Sequence, residues 1–188
     1  MTRHRNSAYS TIEWLIVMTI IIILVTITSP AITHLVTTNK ITTRVNQLVH
    51  TIHLAREAAI YRNQNIIICP TNNRFSCSGS WHDGIIVFTD SNNNKLPDAH
   101  EEVISVLSGY GDDAKLHWRA FRKKKYLMMT PRGFTAWQNG TFTYCHDDDL
   151  KNARGVILNQ AGRIRLTTDA DNDGYHEGAN GKPLRCSE

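Results

Sequence analysis

The chain has 188 residues and a formal net charge of +4. That length allows one domain with a tail, or two very small domains, and excludes anything larger. The composition is ordinary for a globular protein, but the average describes neither part. The stretch Trp14–Ile32 holds no charged residue, and the remainder is markedly polar.

Residues 1–8 are short and basic, with Arg3, His4 and Arg5. Positive charge ahead of an apolar run holds that end in the cytoplasm. The run Trp14–Ile32 is 19 residues long, enough to cross a bilayer as a helix rising 1.5 Å per residue. No A-x-A-like cleavage site follows it, so it does not read as a removed secretory signal. Glu13 stands at its start, where a carboxylate is costly without a partner. It either marks the headgroup level or pairs with a charge in an assembly. From Ile41 the pattern turns amphipathic. Apolar residues recur at Ile41, Val45, Leu48, Ile52, Ala55 and Ala59, with polar residues between them. This spacing predicts a helix with one buried face, ending near Arg62–Asn63.

After Asn65 the period changes to that of strands. Eight short segments follow, at Ile66–Cys69, Gly84–Thr89, Glu102–Leu107, Lys115–Trp118, Tyr126–Thr130, Thr141–Tyr144, Gly155–Leu158 and Arg163–Leu166. Turn residues separate them, and Asn139-Gly140 reads as a hairpin signal. The expected fold class is α+β. A long N-terminal helix, half transmembrane and half amphipathic, packs on an antiparallel β-rich head. The expected boundaries are 1–8, 9–32, 33–64 and 65–188.

Four cysteines, Cys69, Cys77, Cys145 and Cys186, all lie in the polar part. Their spacing does not suit a zinc site. After a membrane-targeting start they read as two disulfides in an oxidising compartment. Of the three possible pairings, Cys69–Cys77 is favoured because the turn-rich PTNNRFS segment between them closes at little entropic cost. Cys145–Cys186 then ties the C-terminus back to the body.

The run Ala8-Tyr9-Ser10-Thr11-Ile12-Glu13-Trp14-Leu15-Ile16-Val17 resembles the processing and anchor motif of type IV pilins and type II secretion pseudopilins. That resemblance implies cleavage by a prepilin peptidase between Ala8 and Tyr9, and N-methylation of Tyr9. Ala8 and Tyr9 depart from the family's usual Gly and Phe. It also implies a docking role for Glu13 in a filament of other pilin subunits. Pro30 falls where the family has a helix-kinking proline. Further matches are Ala55-Arg56-Glu57-Ala58-Ala59, Ile68-Cys69-Pro70, Trp81–Asp90, Gly140–Cys145 and Gly162-Arg163-Ile164-Arg165. Together they resemble the FimT/FimU/GspH group of minor pilins and pseudopilins. The resemblance implies a single-pass inner-membrane protein with a periplasmic head, moving to an extracellular pilus on assembly.

The Gly162–Arg165 segment is similar to the GRxR motif of FimT-type minor pilins and implies DNA as a partner in natural transformation. On a strand, Arg163 and Arg165 share one face while Ile164 faces inward. Guanidinium is well shaped to grip phosphate. Lys151, Arg154, Lys182 and Arg185 are the basic neighbours expected to complete the patch. Such contacts carry no base information and weaken steeply with salt. A second basic run, Arg119 with Arg122–Lys125, is flanked by Trp118, Phe121 and Tyr126, which either stack on bases or belong to the core. Read from the residues alone, without the resemblance, the two arginines are a pair of solvated surface side chains bridged to Asp147–Asp149 or Asp169. The alternative role is a structural minor pilin or secretion pseudopilin that primes assembly at the filament tip.

Two acidic loops resemble EF-hand spacing. Asp90–Glu101 has Lys95 where that loop requires Gly. Asp169-Ala-Asp171-Asn-Asp173-Gly174 begins correctly but has Asn180 at the twelfth place. Asx turns account for both runs, so no metal or cofactor is assigned. No nucleophile elbow, phosphate loop or HExxH occurs, and no catalytic residue is expected.

Overall fold

The computed structural model describes residues 10–121 and 124–186, excepting the side chains of residues 27–31. Ala8, Tyr9, Arg122 and Lys123 lie outside the described residues. The chain divides into two compact units, Met1–Lys40 and Ile41–Glu188.

Helix α1 runs Thr11–Arg62. Ser10 begins it: its Oγ accepts the Ile12 N–H at 3.4 Å and its carbonyl accepts the Glu13 N–H at 3.0 Å. Ser10 and Glu13 have capping-box spacing, and an acid in the first turn suits the helix dipole. In the first unit, Ile12 and the apolar side chains from Trp14 to Val25 are exposed. Among the described residues no helix is long and apolar enough to cross a membrane. α1 ends at Asn63, left-handed at φ 52°, a conformation asparagine tolerates at a helix C-terminus.

Among the described residues, the second unit holds eight strands in two antiparallel sheets of four. β1 (Asn65–Pro70), β2 (Gly84–Asp90), β3 (Val103–Ser108) and β5 (Leu127–Met129) form one, in the order β3-β2-β1-β5. β4 (Ala114–Ala120), β6 (Gly140–His146), β7 (Asp149–Leu158) and β8 (Ile164–Leu166) form the other, in the order β4-β6-β7-β8. The stripe Ile41, Val45, Leu48, Ile52, Ala55 and Ala59 is buried and shares one core with the inner faces of both sheets. Trp81, Trp118 and Phe142 join in that core. Trp118 stacks on Phe142 at 4.1 Å and Trp81 meets Phe142 edge-on at 4.9 Å.

The outer face of each sheet also buries apolar residues. Ile67, Cys69, Ile86 and Phe88 cluster behind the first sheet with Cys77 against them. Cys145, Ala153 and Leu184 cluster behind the second with Cys186. The disulfides Cys69–Cys77 and Cys145–Cys186 hold the covering segments in place.

Two turns differ from the sequence reading. Asn139-Gly140 makes no hairpin. Gly140 lies within β6, and a Cβ there would stand 2.4 Å from the Arg119 carbonyl and 2.8 Å from the Trp118 ring. Its glycine therefore serves close cross-strand approach rather than a type I′ turn. The hairpin joining β6 to β7 falls instead at Asp147-Asp148, both left-handed at φ 52° and 54°. Aspartate tolerates that region better than most residues. β7 consequently begins at Asp149 rather than Gly155.

Candidate nucleic-acid interface

β8 is an edge strand. Its register pairs Leu158 with Ile164 and Ile157 with Arg165. Leu158 belongs to the core and Ile164 packs against it. Alternation therefore sends the Arg165 side chain to the outer face, and Arg163 has the same parity. Both arginines are exposed. Among the described residues neither guanidinium has an ion-pair partner. Of the carboxylates that might have bridged them, Asp148 pairs instead with Lys115, Asp149 Oδ1 accepts the Lys151 N–H at 3.0 Å, and one oxygen of Asp169, Oδ2, accepts the Gly174 N–H at 2.9 Å.

A tight hairpin presents the two arginines. The Arg163 N–H donates to Asn159 Oδ1 at 2.9 Å, and the Arg163 carbonyl accepts the Asn159 N–H at 3.1 Å. Gly162 is left-handed at φ 73°, and a Cβ there would lie 2.4 Å from the Gly133 carbonyl oxygen. Arg56 of α1 donates its Nε–H to that same oxygen at 2.9 Å. The Thr135 N–H also donates to the Gln160 carbonyl at 3.0 Å. The glycine of the motif thus seats the hairpin, and the arginines stand clear of it.

The other basic residues divide. Arg154 pairs in register with core Tyr144, so it faces the side of the sheet opposite Arg165. Its guanidinium turns back to the carbonyls of Lys151 and Ala153, at 2.9 and 2.8 Å. Burial pushes its pKa down from the ordinary guanidinium value. Arg154 is therefore a strand-capping group and does not join the patch. Lys151, Lys182 and Arg185 are exposed. The C-terminal segment carrying Lys182 and Arg185 is fixed to the second sheet's outer face through Cys145–Cys186 and Leu184. Gly181, next to Lys182, lines the same cleft of about 390 Å³ as Arg165. Asp171 and Glu177 line that cleft too, so its wall is mixed in charge.

The register also places Arg119. One row crosses the whole sheet, pairing Arg119 with Thr141, Thr141 with Ile157 and Ile157 with Arg165. Residues opposite one another share a face. Arg119 and Arg165 thus stand on the outer face at its two edges, roughly 14 Å apart at the usual strand spacing. The alternation of Lys115, His117 and Arg119 with Ala114, Leu116 and Trp118 carried this signal in the sequence. Of the flanking aromatics, Trp118 is a core residue and Tyr126 packs behind the first sheet. Phe121 is exposed, beside the exposed Lys124 and Lys125 at the end of β4.

The family described as Type II transport protein GspH matches residues 44–162. Among solved structures, the type IV minor pilin FimU of Pseudomonas aeruginosa is similar at 18% identity. It covers 79% of this chain and 96% of its own, with a TM-score of 0.57. The minor pseudopilin EpsH from the type 2 secretion system of Vibrio cholerae is similar at 10% identity. It covers 68% of this chain and 95% of its own, with a TM-score of 0.51. At these identities the likeness is one of fold. No curated protein sequence matches the chain.

Proposed function

Because the chain belongs to the GspH family, whose members are minor pilins and pseudopilins, we propose that it is a minor pilin of a type IV pilus that binds extracellular DNA for natural transformation. The family is one of structural rather than catalytic proteins. The observation that carries the DNA reading is the pair Arg163 and Arg165. They are two exposed guanidiniums, one on an edge strand and one at its start, and among the described residues neither has an ion-pair partner. Two adjacent cations repel unless an anion lies across them, and phosphate suits their bidentate geometry. Lys182 and Arg185 extend the positive surface along the C-terminal segment, Lys151 adds to it, and Arg119 extends it across the sheet. Contacts of this kind are to the backbone of DNA and are independent of sequence.

The same reading assigns the N-terminus. A prepilin peptidase cuts between Ala8 and Tyr9, and Tyr9 becomes the methylated end. The exposed apolar side chains of α1 lie first in the inner membrane as a single pass, with the head in the periplasm. They then pack against other pilin subunits in the extracellular filament. Glu13 pairs there with an α-amino group, which offsets the cost of a carboxylate in an apolar core.

The test is an electrophoretic shift of residues 33–188 with double-stranded DNA at low and moderate salt, beside the Arg163→Gln/Arg165→Gln double variant. The expected result is a shift that weakens with salt and is lost in the variant. Loss of two phosphate contacts lowers the slope of log affinity against log salt by about 2. No shift at low salt and high protein concentration overturns DNA capture. An equal shift in both proteins moves the contact to the basic run at Arg119. A second reading is a type II secretion pseudopilin or structural minor pilin that primes assembly at the filament tip. It is favoured by the type II transport description of the family and by the EpsH-like fold.

A further inference from the structure

The loop after β8 gathers four carboxylates. The ligand oxygens of Asp169, Asp171, Asp173 and Glu177 all lie within 4.8 Å of one another. Oxygens that share a calcium ion at 2.3–2.6 Å are at most about 5 Å apart. The sequence register looked for an acid at the twelfth place of the loop and met Asn180. The fold instead brings in Glu177, at the ninth.

Among the described residues, Asp169 Oδ1 and Glu177 Oε1 meet no hydrogen-bond donor, and both atoms are closed off from solvent. The second oxygen of each is held by the backbone: Asp169 Oδ2 accepts the Gly174 N–H at 2.9 Å, and Glu177 Oε2 accepts the Ala170 N–H at 2.8 Å. One oxygen of each carboxylate is thereby held by the backbone, and the other is left without a donor. A buried carboxylate oxygen without a donor is strongly disfavoured, and convergence with like charges adds to the cost. A cation at the centre relieves both.

The other acidic loop shows what self-sufficiency looks like. There Asp98 Oδ2 accepts side-chain N–H groups from both Asn92 and Asn94 at 2.7 Å. Glu101 accepts the backbone N–H groups of Ser91 and Asp98 at 2.9 and 3.2 Å. Asp90 Oδ2 is unpartnered, but among the described residues no group of three ligating side chains gathers around it.

We propose that Asp169, Asp171, Asp173 and Glu177 bind a calcium ion. An all-oxygen set suits calcium, which takes six to eight oxygens with loose geometry. Magnesium demands a near-ideal octahedron. Zinc prefers nitrogen and sulfur ligands, and no free cysteine is present. The ion cross-links residues 169–173 to Glu177, in the segment that Cys186 tethers. Asp171 and Glu177 line the cleft beside Arg165, so their neutralisation also makes that wall less negative.

The proposal is tested with the full chain in detergent micelles, stripped with EDTA. Calcium chloride is titrated by calorimetry and thermal unfolding is followed with and without it. One ion per chain is expected to bind, with an affinity on the order of 10⁻⁴–10⁻³ M, as in extracellular modules, and to raise the melting temperature. Asp171→Asn with Asp173→Asn is expected to weaken binding by roughly tenfold or more. Both side chains are exposed, and asparagine keeps the Oδ1 acceptors that bond the Asp173 and Tyr175 N–H groups, so the loop still folds. Asp98→Asn in the other loop is expected to leave binding unchanged. Absence of binding at millimolar calcium overturns the proposal. So does unchanged affinity in the double variant, loss of binding in Asp98→Asn, or equal affinity for magnesium. None of these outcomes bears on the DNA shift, which is measured separately.

Discussion

Gly162 is the residue whose role changed most on folding. A Gly162→Ala substitution sets a Cβ against the Gly133 carbonyl at a left-handed position. It is expected to cost about 1–3 kcal/mol of stability, read by denaturant unfolding, and to weaken DNA binding although both arginines remain. Tyr110 behaves differently. It is buried at 1% exposure, its hydroxyl has no hydrogen-bond partner among the described residues, and the Arg44 guanidinium lies 5.7 Å from its ring centre. Removing an unsatisfied hydroxyl is nearly neutral, so Tyr110→Phe is expected to change stability by no more than about 1 kcal/mol. Burial pushes the Tyr110 pKa well above the usual tyrosine value, and the nearby Arg44 charge only partly opposes this. The buried phenol holds its proton more tightly folded than unfolded. Its contribution is full below about pH 10 and is lost as pH rises past that value. Thermal melts in alkaline buffer should therefore fall more steeply for the wild type than for Tyr110→Phe. At the N-terminus, Glu13→Gln separates helix capping from the proposed docking role. Glutamine still suits a capping box but carries no charge. The expected outcome is unchanged helix content by circular dichroism with loss of filament assembly.

At the scale of elements, the covered outer faces matter most. An eight-stranded pair of sheets with one helix ordinarily leaves its outer faces polar, yet every residue of β2 is buried. The segments that cover the two outer clusters are each anchored by one disulfide. Cys145 and Cys186 are 41 residues apart and Cys69 and Cys77 are 8 apart. Chain entropy alone gives the longer loop about 4 kcal/mol and the shorter about 2.5 kcal/mol. Replacing Cys145 and Cys186 with serine should be the more damaging change in chemical unfolding. It should also expose residues 168–186 to limited proteolysis first. The eight strands were legible because β-branched runs and turn clusters alternate along the chain. The β6–β7 hairpin was not, because Asp147-Asp148 reads as charge rather than as a turn. Asn139-Gly140 misled because the same dipeptide serves a tight turn in one context and close strand packing in another.

For the whole molecule, the core is complete from Ile41 onward, which coincides with the start of the second compact unit. Residues 41–188 are expected to fold alone in one cooperative transition. A further cut to residue 49 removes Ile41, Val45 and Leu48 and should lower stability by several kcal/mol, at roughly 1.5–3 kcal/mol for each buried side chain. Circular dichroism melts of the two fragments check this directly.

Periodicity by itself determined the helix, its buried stripe and the sequence of strands, because each is written in spacings of a few residues. The two exposed arginines flanking Ile164, one just before β8 and one within it, were also visible there as alternation. The tertiary structure decided what depends on register and on contacts between distant segments. It sent Arg154 to the opposite face and set Arg119 on the row of Arg165. It gave Gly162 a carbonyl to rest against, and it brought Glu177 to the three aspartates. A local pattern states which residues alternate, but only pairing between strands states which of them meet.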